Sequence, residues 1–332
     1  MTPDDVAGLA DLQTRTRDDV LDVAFAEYDR TRPILDGRVR PEGLKLNLRT
    51  GWIGEFCVKP VYEEFDVAEM SLSWFIAAKA RNEPCVALPV FPLRMAVLGY
   101  MFVRSDSPIE HPSQLVGKTI ATTGYRYTVN LWLRGMLKEH YGLAPEQAKW
   151  VTSEPETNNY VLPKNIQRTI RKDKTVGQLL IDGEVDAVIG PEAPDEFHKG
   201  DPRIRRLFRD ARAEQAAYFK KTGIYPITHT VVMKERIARE RPEVAERFVK
   251  CFREAQKVCT EFYYKNPKHM SFPSGPFILE EEKALYGAEP YANGMEETRT
   301  VIETFIRYAY EQDYIDRILK LEEIYPPNTY KL

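Results

Sequence analysis

The stretch TGIYPITHTVVM, residues 222–233, decides the fold, because a polar turn leads there into a run of β-branched residues. An α/β pattern spans residues 20–103, a second one spans residues 113–220, and the chain after residue 234 is helical nearly to its end. Within these segments the sequence predicts a helix over 54–66, a strand over 95–103, an irregular surface excursion over 155–174 and an amphipathic helix over 244–262. Alternating strands and helices indicate an α/β fold. A strand that returns after the second α/β unit predicts a first domain that is discontinuous in sequence.

Two crossovers between the units, near 104–112 and 221–229, are predicted to form a hinge. Ligands of such two-lobed proteins lie in the cleft between the lobes, where loops at strand ends and helix N-termini contact them. The predicted lobe 1 comprises residues 20–108 plus 226–332, and the predicted lobe 2 comprises residues 109–225.

Composition and charge restrict the partners of the protein. The 332 residues include 47 Lys+Arg and 50 Asp+Glu, for a formal net charge of −3. Nucleic-acid binders usually show a basic excess, so no nucleic-acid partner is predicted. No apolar run approaches the ~20 residues of a membrane span, and the first 20 residues lack the apolar core of a signal peptide. We therefore expect a cytoplasmic protein with no membrane partner and with residues 1–19 as an N-terminal extension.

Cofactor motifs are missing from the sequence. The four cysteines include no CxxC pair, and the five histidines include no HExxH, so the spacing predicts no metal site. The segment VGKTI at 116–120 suggests a phosphate loop, but the glycine required five residues before Gly117 is Pro112. There is also no GxGxxG after a strand. We predict no metal and no other cofactor.

Arginines are the candidate ligands for a carboxylate. Arg30 and Arg32 lie beside Asp29 on a loop stiffened by Pro33, and paired guanidinium groups suit bidentate carboxylate binding. A surface turn held by ion pairs is the alternative. Arg94 lies in the apolar segment FPLRMAV, where a buried charge needs a partner. That partner is either the carboxylate of a substrate or an acidic side chain of the protein.

Hydroxyl groups and backbone amides at two strand-to-helix junctions are candidate anion ligands. Ser71 and Ser73 follow a predicted strand, where they either bind an oxyanion or cap the next helix. The second junction is the loop TTGYRYT at 122–128, whose amides and arginine suit an anion and whose tyrosines can stack on a ring. The candidates in that loop are Thr123, Tyr125, Arg126 and Tyr127.

His229 is the candidate proton donor. It is flanked by Thr228 and Thr230 at the predicted hinge, and histidine exchanges protons near neutral pH. A histidine with a purely structural role is an equally open alternative. Glu69, beside an apolar strand, is the rival donor because burial can keep a carboxyl group protonated.

Five segments together resemble the 4,5-dihydroxyphthalate decarboxylase family. They are DRTRPILDG (29–37), EFDVAEMSLS (64–73), GKTIATTGYRYTVNLWLRGML (117–137), GEVDAVIGP (183–191) and TGIYPITH (222–229). The resemblance runs in the same order over roughly residues 20–265. It implies an α/β, two-lobed type II periplasmic-binding-protein-like fold with two hinge crossovers and C-terminal helices, related to thiamine-precursor-binding proteins.

The resemblance also implies an activity: decarboxylation, without a cofactor, of a hydroxylated aromatic dicarboxylate such as 4,5-dihydroxyphthalate. A hydroxyl para to the leaving carboxylate lets the ring accept a proton at the carbon that bears it, and CO₂ leaves as aromaticity returns. This chemistry needs carboxylate ligands and a positioned acid, here the arginines and His229. The alternative is a non-catalytic solute-binding or sensor protein for a small aromatic or carboxylate ligand, since fold does not decide function. A homo-oligomer is compatible with either function.

Overall fold

The computed structural model describes residues 20–51, 60–156, 160–287 and 289–332. Strands and helices alternate along these ranges. The strands are β1 (Val20–Ala24), β2 (Lys45–Arg49), β3 (Val67–Ser71), β4 (Cys85–Leu88), β5 (Met101–Arg104), β6 (Thr119–Thr122), β7 (Lys149–Thr152), β8 (Arg168–Ile170), β9 (Ala187–Ile189), β10 (Ile204–Arg206) and β11 (His229–Lys234). The helices are α1 (Arg32–Leu35), α2 (Val61–Glu64), α3 (Leu72–Ala80), α4 (Thr128–Tyr141), α5 (Val176–Ile181), α6 (Asp195–His198), α7 (Ala211–Thr222), α8 (Glu235–Glu240), α9 (Pro242–Lys265), α10 (Gly275–Tyr286), α11 (Met295–Glu311) and α12 (Leu321–Ile324).

The strands form two sheets. The first has the order β2-β1-β3-β11-β4, and the second has the order β10-β5-β9-β6-β7-β8. Strand β11 runs antiparallel between β3 and β4, although every strand of the second sheet precedes it in the chain. The strand at 229–234 therefore returns to the first sheet, as the stretch 222–233 predicts.

The first crossover is the main correction to the predicted organisation. The sequence suggests a strand over 95–103 in lobe 1, but the structure has a short 3₁₀ turn at Val97–Tyr100, and β5 pairs with β9 and β10 in the second sheet. The chain thus crosses over between Leu88 and Met101, before the predicted 104–112. Both sheets bury apolar strands, so a continuous apolar run does not reveal where the chain changes sheet. The other predicted lobe boundaries stay predictions.

Two further expectations need adjustment. The polar stretch 155–174 is predicted to be irregular, yet Arg168–Ile170 forms edge strand β8 and pairs parallel with β7. The predicted helix over 54–66 is observed at Val61–Glu64, while its first part, Cys57 and the predicted extension 1–19 lie outside the described residues.

The C-terminal helices cover both sheets. Phe248 and Phe252 of α9 are buried against the first sheet, on the amphipathic face that the sequence predicts. Helix α11 begins near that sheet, where Asn293 accepts a hydrogen bond from the Phe91 amide (2.9 Å). It then packs against α4, with the rings of Phe305 and Trp132 5.1 Å apart. Residues assigned by prediction to lobe 1 therefore also contact α4, the helix that follows strand β6 of the second sheet.

None of the helices within the described ranges is both long and apolar enough to cross a bilayer.

Candidate functional site

A cavity of about 980 Å³ lies between the edges of the two sheets. This volume is at the upper end of the range of small-molecule sites, roughly 300–1,000 Å³. Side chains next to the first sheet that line it are Ser71, Trp74, Leu93, Met95, Thr228 and His229. The opposite wall comprises Thr123, Tyr127–Val129, Ser153–Pro155, Lys172–Gly177 and Val188–Glu196. The loops and helix N-termini at these strand ends are the elements expected to hold a ligand.

A histidine–carboxylate pair lies at the first-sheet wall. His229 Nδ1 donates a hydrogen bond to Glu69 Oε1 at 2.7 Å. Glu69 is fully buried, whereas His229 lines the cavity. Because Nδ1 is engaged by the carboxylate, Nε2 is the ring nitrogen left for a ligand in the cavity.

The strand register explains this pairing. In the β3–β11 ladder, His229 lies opposite Ser71, and Val231 lies opposite Glu69. Side chains two residues apart point to the same face of a strand, so Glu69 and His229 are diagonal neighbours on one face. Sequence reasoning treats the two residues as rival donors. The structure places them in direct contact.

Glu69 accepts two hydrogen bonds besides the one from His229. The Tyr28 hydroxyl donates to Oε1 at 2.8 Å, and the Ala26 amide donates to Oε2 at 3.0 Å. Three donors compensate for the burial of the negative charge. Glu69 is absent from the cavity wall, so it contacts a ligand only through His229.

The N-termini of α3 and α4 meet at the base of the cavity. The Ser71 and Thr128 hydroxyls are 2.7 Å apart, and the Ser73 amide donates to Thr128 Oγ1 at 3.0 Å. The first two amides of α3 are engaged, Leu72 by the Thr228 carbonyl and Ser73 by Thr128. The hydroxyl groups and the positive ends of the two helix dipoles are the features that suit an anion here. Ser71 and Thr128 line the cavity. The Ser73 side chain is fully buried behind this wall and donates to the Arg126 carbonyl, so its contact with a ligand stays a prediction.

Arg30 lies outside the cavity wall, clamped between two aromatic rings. Its guanidinium is 4.4 Å from the ring centroids of both Tyr28 and Tyr291. It also pairs with Asp29 at 3.1 Å, and neither residue lines the cavity. Stacking of this kind stabilises an arginine on a loop.

Arg32 forms a surface ion pair with Glu27 at 2.9 Å, with 60% of the arginine side chain exposed. The arrangement corresponds to the alternative of a surface turn held by ion pairs. Such an exposed pair adds little stability.

Arg94 is a buried cation without a carboxylate partner among the described residues. It is 6% exposed, its guanidinium donates to the Ala292 carbonyl, and its Nε has no hydrogen-bond partner. Burial lowers the pKa of Arg94 to about 10. The predicted alternative of a pairing with an acidic side chain is thus not observed in the described ranges. Leu93 and Met95 on either side line the cavity, but Arg94 does not.

Of the predicted ligand-binding residues in the loop before α4, some line the cavity and others are buried in the protein core. Thr123 and Tyr127 line the cavity, and the Tyr127 hydroxyl donates to Glu154 at 3.2 Å. Tyr125 is only 1% exposed, packed edge-to-face on Trp150 at 5.1 Å, and burial raises the pKa of its phenol. Of the two tyrosines predicted to stack on a ring, Tyr127 faces the cavity and Tyr125 lies in the core, so stacking by Tyr125 stays a prediction.

Arg126 is buried behind Trp74, its guanidinium 3.9 Å from that ring, and it is absent from the wall. Trp74 itself lines the cavity although sequence reasoning does not select it. An aromatic residue directly after SLS at a helix start is the signal that would have found it.

Several other wall residues are also missed by sequence reasoning. Lys172 belongs to the stretch 155–174, which the sequence analysis interprets as a surface excursion. The wall residues within 190–196 belong to the loop that follows strand β9. Parallel β6 and β9 end at the same sheet edge, so the loop after β9 is a candidate by topology once the strand order is known.

No group of three or more His, Cys, Asp or Glu side chains in the described ranges is arranged to hold a metal ion.

Comparison with known proteins identifies relatives. No family model matches the chain. The 4,5-dihydroxyphthalate decarboxylase of Comamonas testosteroni is 29% identical over 317 residues, which cover 92% of this chain and 96% of that protein. The 4,5-dihydroxyphthalate decarboxylase of Pseudomonas putida is 31% identical over 209 residues, which cover 60% of this chain and 81% of that protein.

Solved structures establish the fold. The periplasmic sulfonate-binding protein SsuA of Methylobacillus flagellatus superposes with a TM-score of 0.57 at 13% identity, covering 93% of this chain and 92% of that one. The aliphatic sulphonate binding protein SsuA of Escherichia coli gives 0.56 at 15% identity, covering 95% and 99%. The desulfurization enzyme DSZB gives 0.51 at 15% identity, covering 94% and 98%. These likenesses confirm the predicted type II periplasmic-binding-protein-like fold. With its similarity to both decarboxylases, the chain belongs to the 4,5-dihydroxyphthalate decarboxylase family of carboxy-lyases.

Proposed function

We propose that the protein decarboxylates a hydroxylated aromatic dicarboxylate, 4,5-dihydroxyphthalate or a close analogue, with His229 as the proton donor. The relatives' activity supports the reaction class. The observation that carries the assignment is the Glu69–His229 pair, which leaves one imidazole nitrogen for the cavity. We place this reaction in cytoplasmic breakdown of aromatic acids.

The proposed reaction uses one proton, which His229 gives to the substrate and later regains. Imidazolium Nε2 of His229 protonates the ring carbon that bears the leaving carboxylate, and the para hydroxyl donates electron density to the ring. The bond from that carbon to the carboxylate then breaks, its electron pair restores the aromatic ring, and CO₂ leaves. Neutral His229 regains a proton from solvent. Glu69 keeps the imidazole oriented and stabilises its charged form.

Glu69 is the weaker candidate for the donor. It lies behind His229, is fully buried, and its two oxygens already accept three hydrogen bonds. Because Glu69 is absent from the cavity wall, its carboxyl group has no direct route to a ring in the cavity.

We propose that the leaving carboxylate binds at the N-termini of α3 and α4. Ser71 and Thr128 face the cavity there, and Thr123 and Tyr127 are nearby on the same wall. Oriented amides at helix starts favour an anion. Lys172, which lines the same wall as Thr123 and Thr128 and has no ion pair among the described residues, supplies a positive charge.

We retain Arg94 and Arg30 as proposed ligands of the second carboxylate. Arg94 is a buried cation without an acidic partner in the described ranges, and such a charge is costly unless an anion reaches it. One contact of each guanidinium group comes from the same short segment, the Tyr291 ring on Arg30 and the Ala292 carbonyl on Arg94. Binding through these arginines therefore requires that segment to move.

The test is incubation of the purified protein with 4,5-dihydroxyphthalate in D₂O. We expect one equivalent of CO₂ and a dihydroxybenzoate carrying deuterium at the carbon that lost the carboxylate. An analogue without the para hydroxyl should bind but should not react. Tight binding of the substrate without CO₂ release would instead support the solute-binding alternative.

A further inference from the structure

We infer that Tyr28 is a positioning residue that sets the acidity of His229 through their shared partner, Glu69. Its hydroxyl donates to Glu69 Oε1 at 2.8 Å, and the same oxygen accepts the His229 Nδ1 hydrogen bond at 2.7 Å. The inference rests on the proposed function only for its kinetic consequence.

Glu69 Oε1 thus accepts hydrogen bonds from two donors, the Tyr28 hydroxyl and His229 Nδ1. Hydrogen bonds to an ionised oxygen draw electron density toward the donor, so a phenol on Oε1 weakens the attraction of that oxygen for the imidazolium. With Tyr28 in place, His229 is a stronger acid than it would be beside Glu69 alone. A ring carbon is a weak base, and transfer to it benefits from a stronger acid.

The loop after β1 holds the phenol in place. The Tyr28 amide donates to Thr31 Oγ1 at 2.8 Å, and Thr31 Oγ1 donates to the Ala26 carbonyl at 3.0 Å. The Arg30 guanidinium lies 4.4 Å from the Tyr28 ring centroid. The backbone turn and the stacked cation hold the ring in place, so little conformational entropy is lost when its hydroxyl bonds to Glu69.

Other charged groups lie on or near the cavity that His229 lines. Arg30 and Arg94 lie next to the first-sheet wall, and the far wall carries Tyr127, Glu154 and charged side chains within 172–174 and 192–196. Replacing the Tyr28 hydroxyl alone leaves all of these groups unchanged. A change in the titration of His229 after that replacement therefore reports on the hydroxyl.

The experiment compares Tyr28→Phe with Tyr141→Phe by NMR titration of the histidine ring protons, with His229→Asn identifying the His229 signal. Tyr141 is a matched control, because its hydroxyl also donates to a glutamate, Glu214, at 2.6 Å. Tyr141 ends helix α4 at the terminus opposite to the cavity, and neither Tyr141 nor Glu214 lines the cavity. We expect the His229 titration midpoint to rise by about 0.5–1 pH unit in Tyr28→Phe and to stay constant in Tyr141→Phe.

Kinetics supply a second readout in the same variants. In Tyr28→Phe the high-pH limb of the kcat profile should move to higher pH by the same amount. At pH values below that limb, kcat should be about 3–10-fold lower than in the wild type, and KM should change little. If Tyr28 only stabilised the fold, Tyr28→Phe would lower Tm but would shift neither the NMR titration of His229 nor the pH profile of kcat. If the wild type releases no CO₂, the proposed function fails while the NMR titration still decides the role of Tyr28.

A fluorinated tyrosine at position 28 gives a test that does not depend on how well Tyr28→Phe folds. Fluorine makes the phenol a stronger donor, so the His229 midpoint should fall rather than rise. An unchanged midpoint in both Tyr28 variants would overturn the inference.

Discussion

Replacing His229 by asparagine is the most direct perturbation of the proposed mechanism. The imidazole is the side chain that joins buried Glu69 to the cavity, and asparagine cannot donate a proton to a ring carbon. Loss of a general acid typically lowers kcat by ~10²–10⁴-fold. The carboxylate-binding groups proposed at Ser71 and Thr128 remain, so KM should change less than threefold, an estimate of about 0.7 kcal/mol or less in binding.

The structural cost of the same substitution can also be bounded. Glu69 loses one of its three donors and keeps the Tyr28 hydroxyl and the Ala26 amide. A hydrogen bond to a charged group contributes roughly 1.5–3 kcal/mol, so the free energy of unfolding should fall by no more than that amount. Folded protein should therefore remain in excess, and the loss of kcat will reflect chemistry rather than unfolding.

The assay is CO₂ release under saturating substrate, with Tm and substrate affinity measured on the same samples. His198→Asn is the control, because His198 is exposed and absent from the cavity wall. Near-normal kcat in His229→Asn, together with an inactive Glu69→Gln, would refute the assignment and make Glu69 the donor.

Four other outcomes are expected. Arg94→Met should raise KM by about tenfold or more with a small change in Tm, whereas Arg32→Met, on an exposed ion pair, should leave KM unchanged. A collapse of Tm in Arg94→Met would show that the cation is structural. Arg30→Met should also raise KM, and a parallel loss of Tm would instead assign Arg30 to its stacking on Tyr28 and Tyr291. Prolonged chelation and buffer exchange should leave turnover intact, and activity restored by a divalent ion would contradict the predicted metal independence. Thr128→Val, which removes the hydroxyl shared by Ser71 and the Ser73 amide, should weaken substrate binding about 3–30-fold, and unchanged KM would exclude this site for the carboxylate.

Local sequence patterns predict most elements because their signals are short-range. The apolar face of α9 repeats with the helical period, and the β-branched run in 227–233 identifies the returning strand. The position of that strand after the second α/β unit is enough to predict a discontinuous first sheet. The crossover before β5 is not predictable in the same way, because residues 95–103 form a mostly apolar run that either sheet could bury.

The residue types of the site are recognisable in the sequence, but their partners are set by the tertiary structure. Glu69 and His229 lie 160 positions apart and meet because β11 pairs antiparallel with β3 in one register. A shift of that register by one residue would turn His229 to the other face of the sheet. In the loop before α4, Tyr125 faces the core and Tyr127 faces the cavity, a choice that follows from how the loop enters the helix. Arg94 and Tyr28 obtain their roles from contacts with distant segments, and no local pattern encodes such contacts.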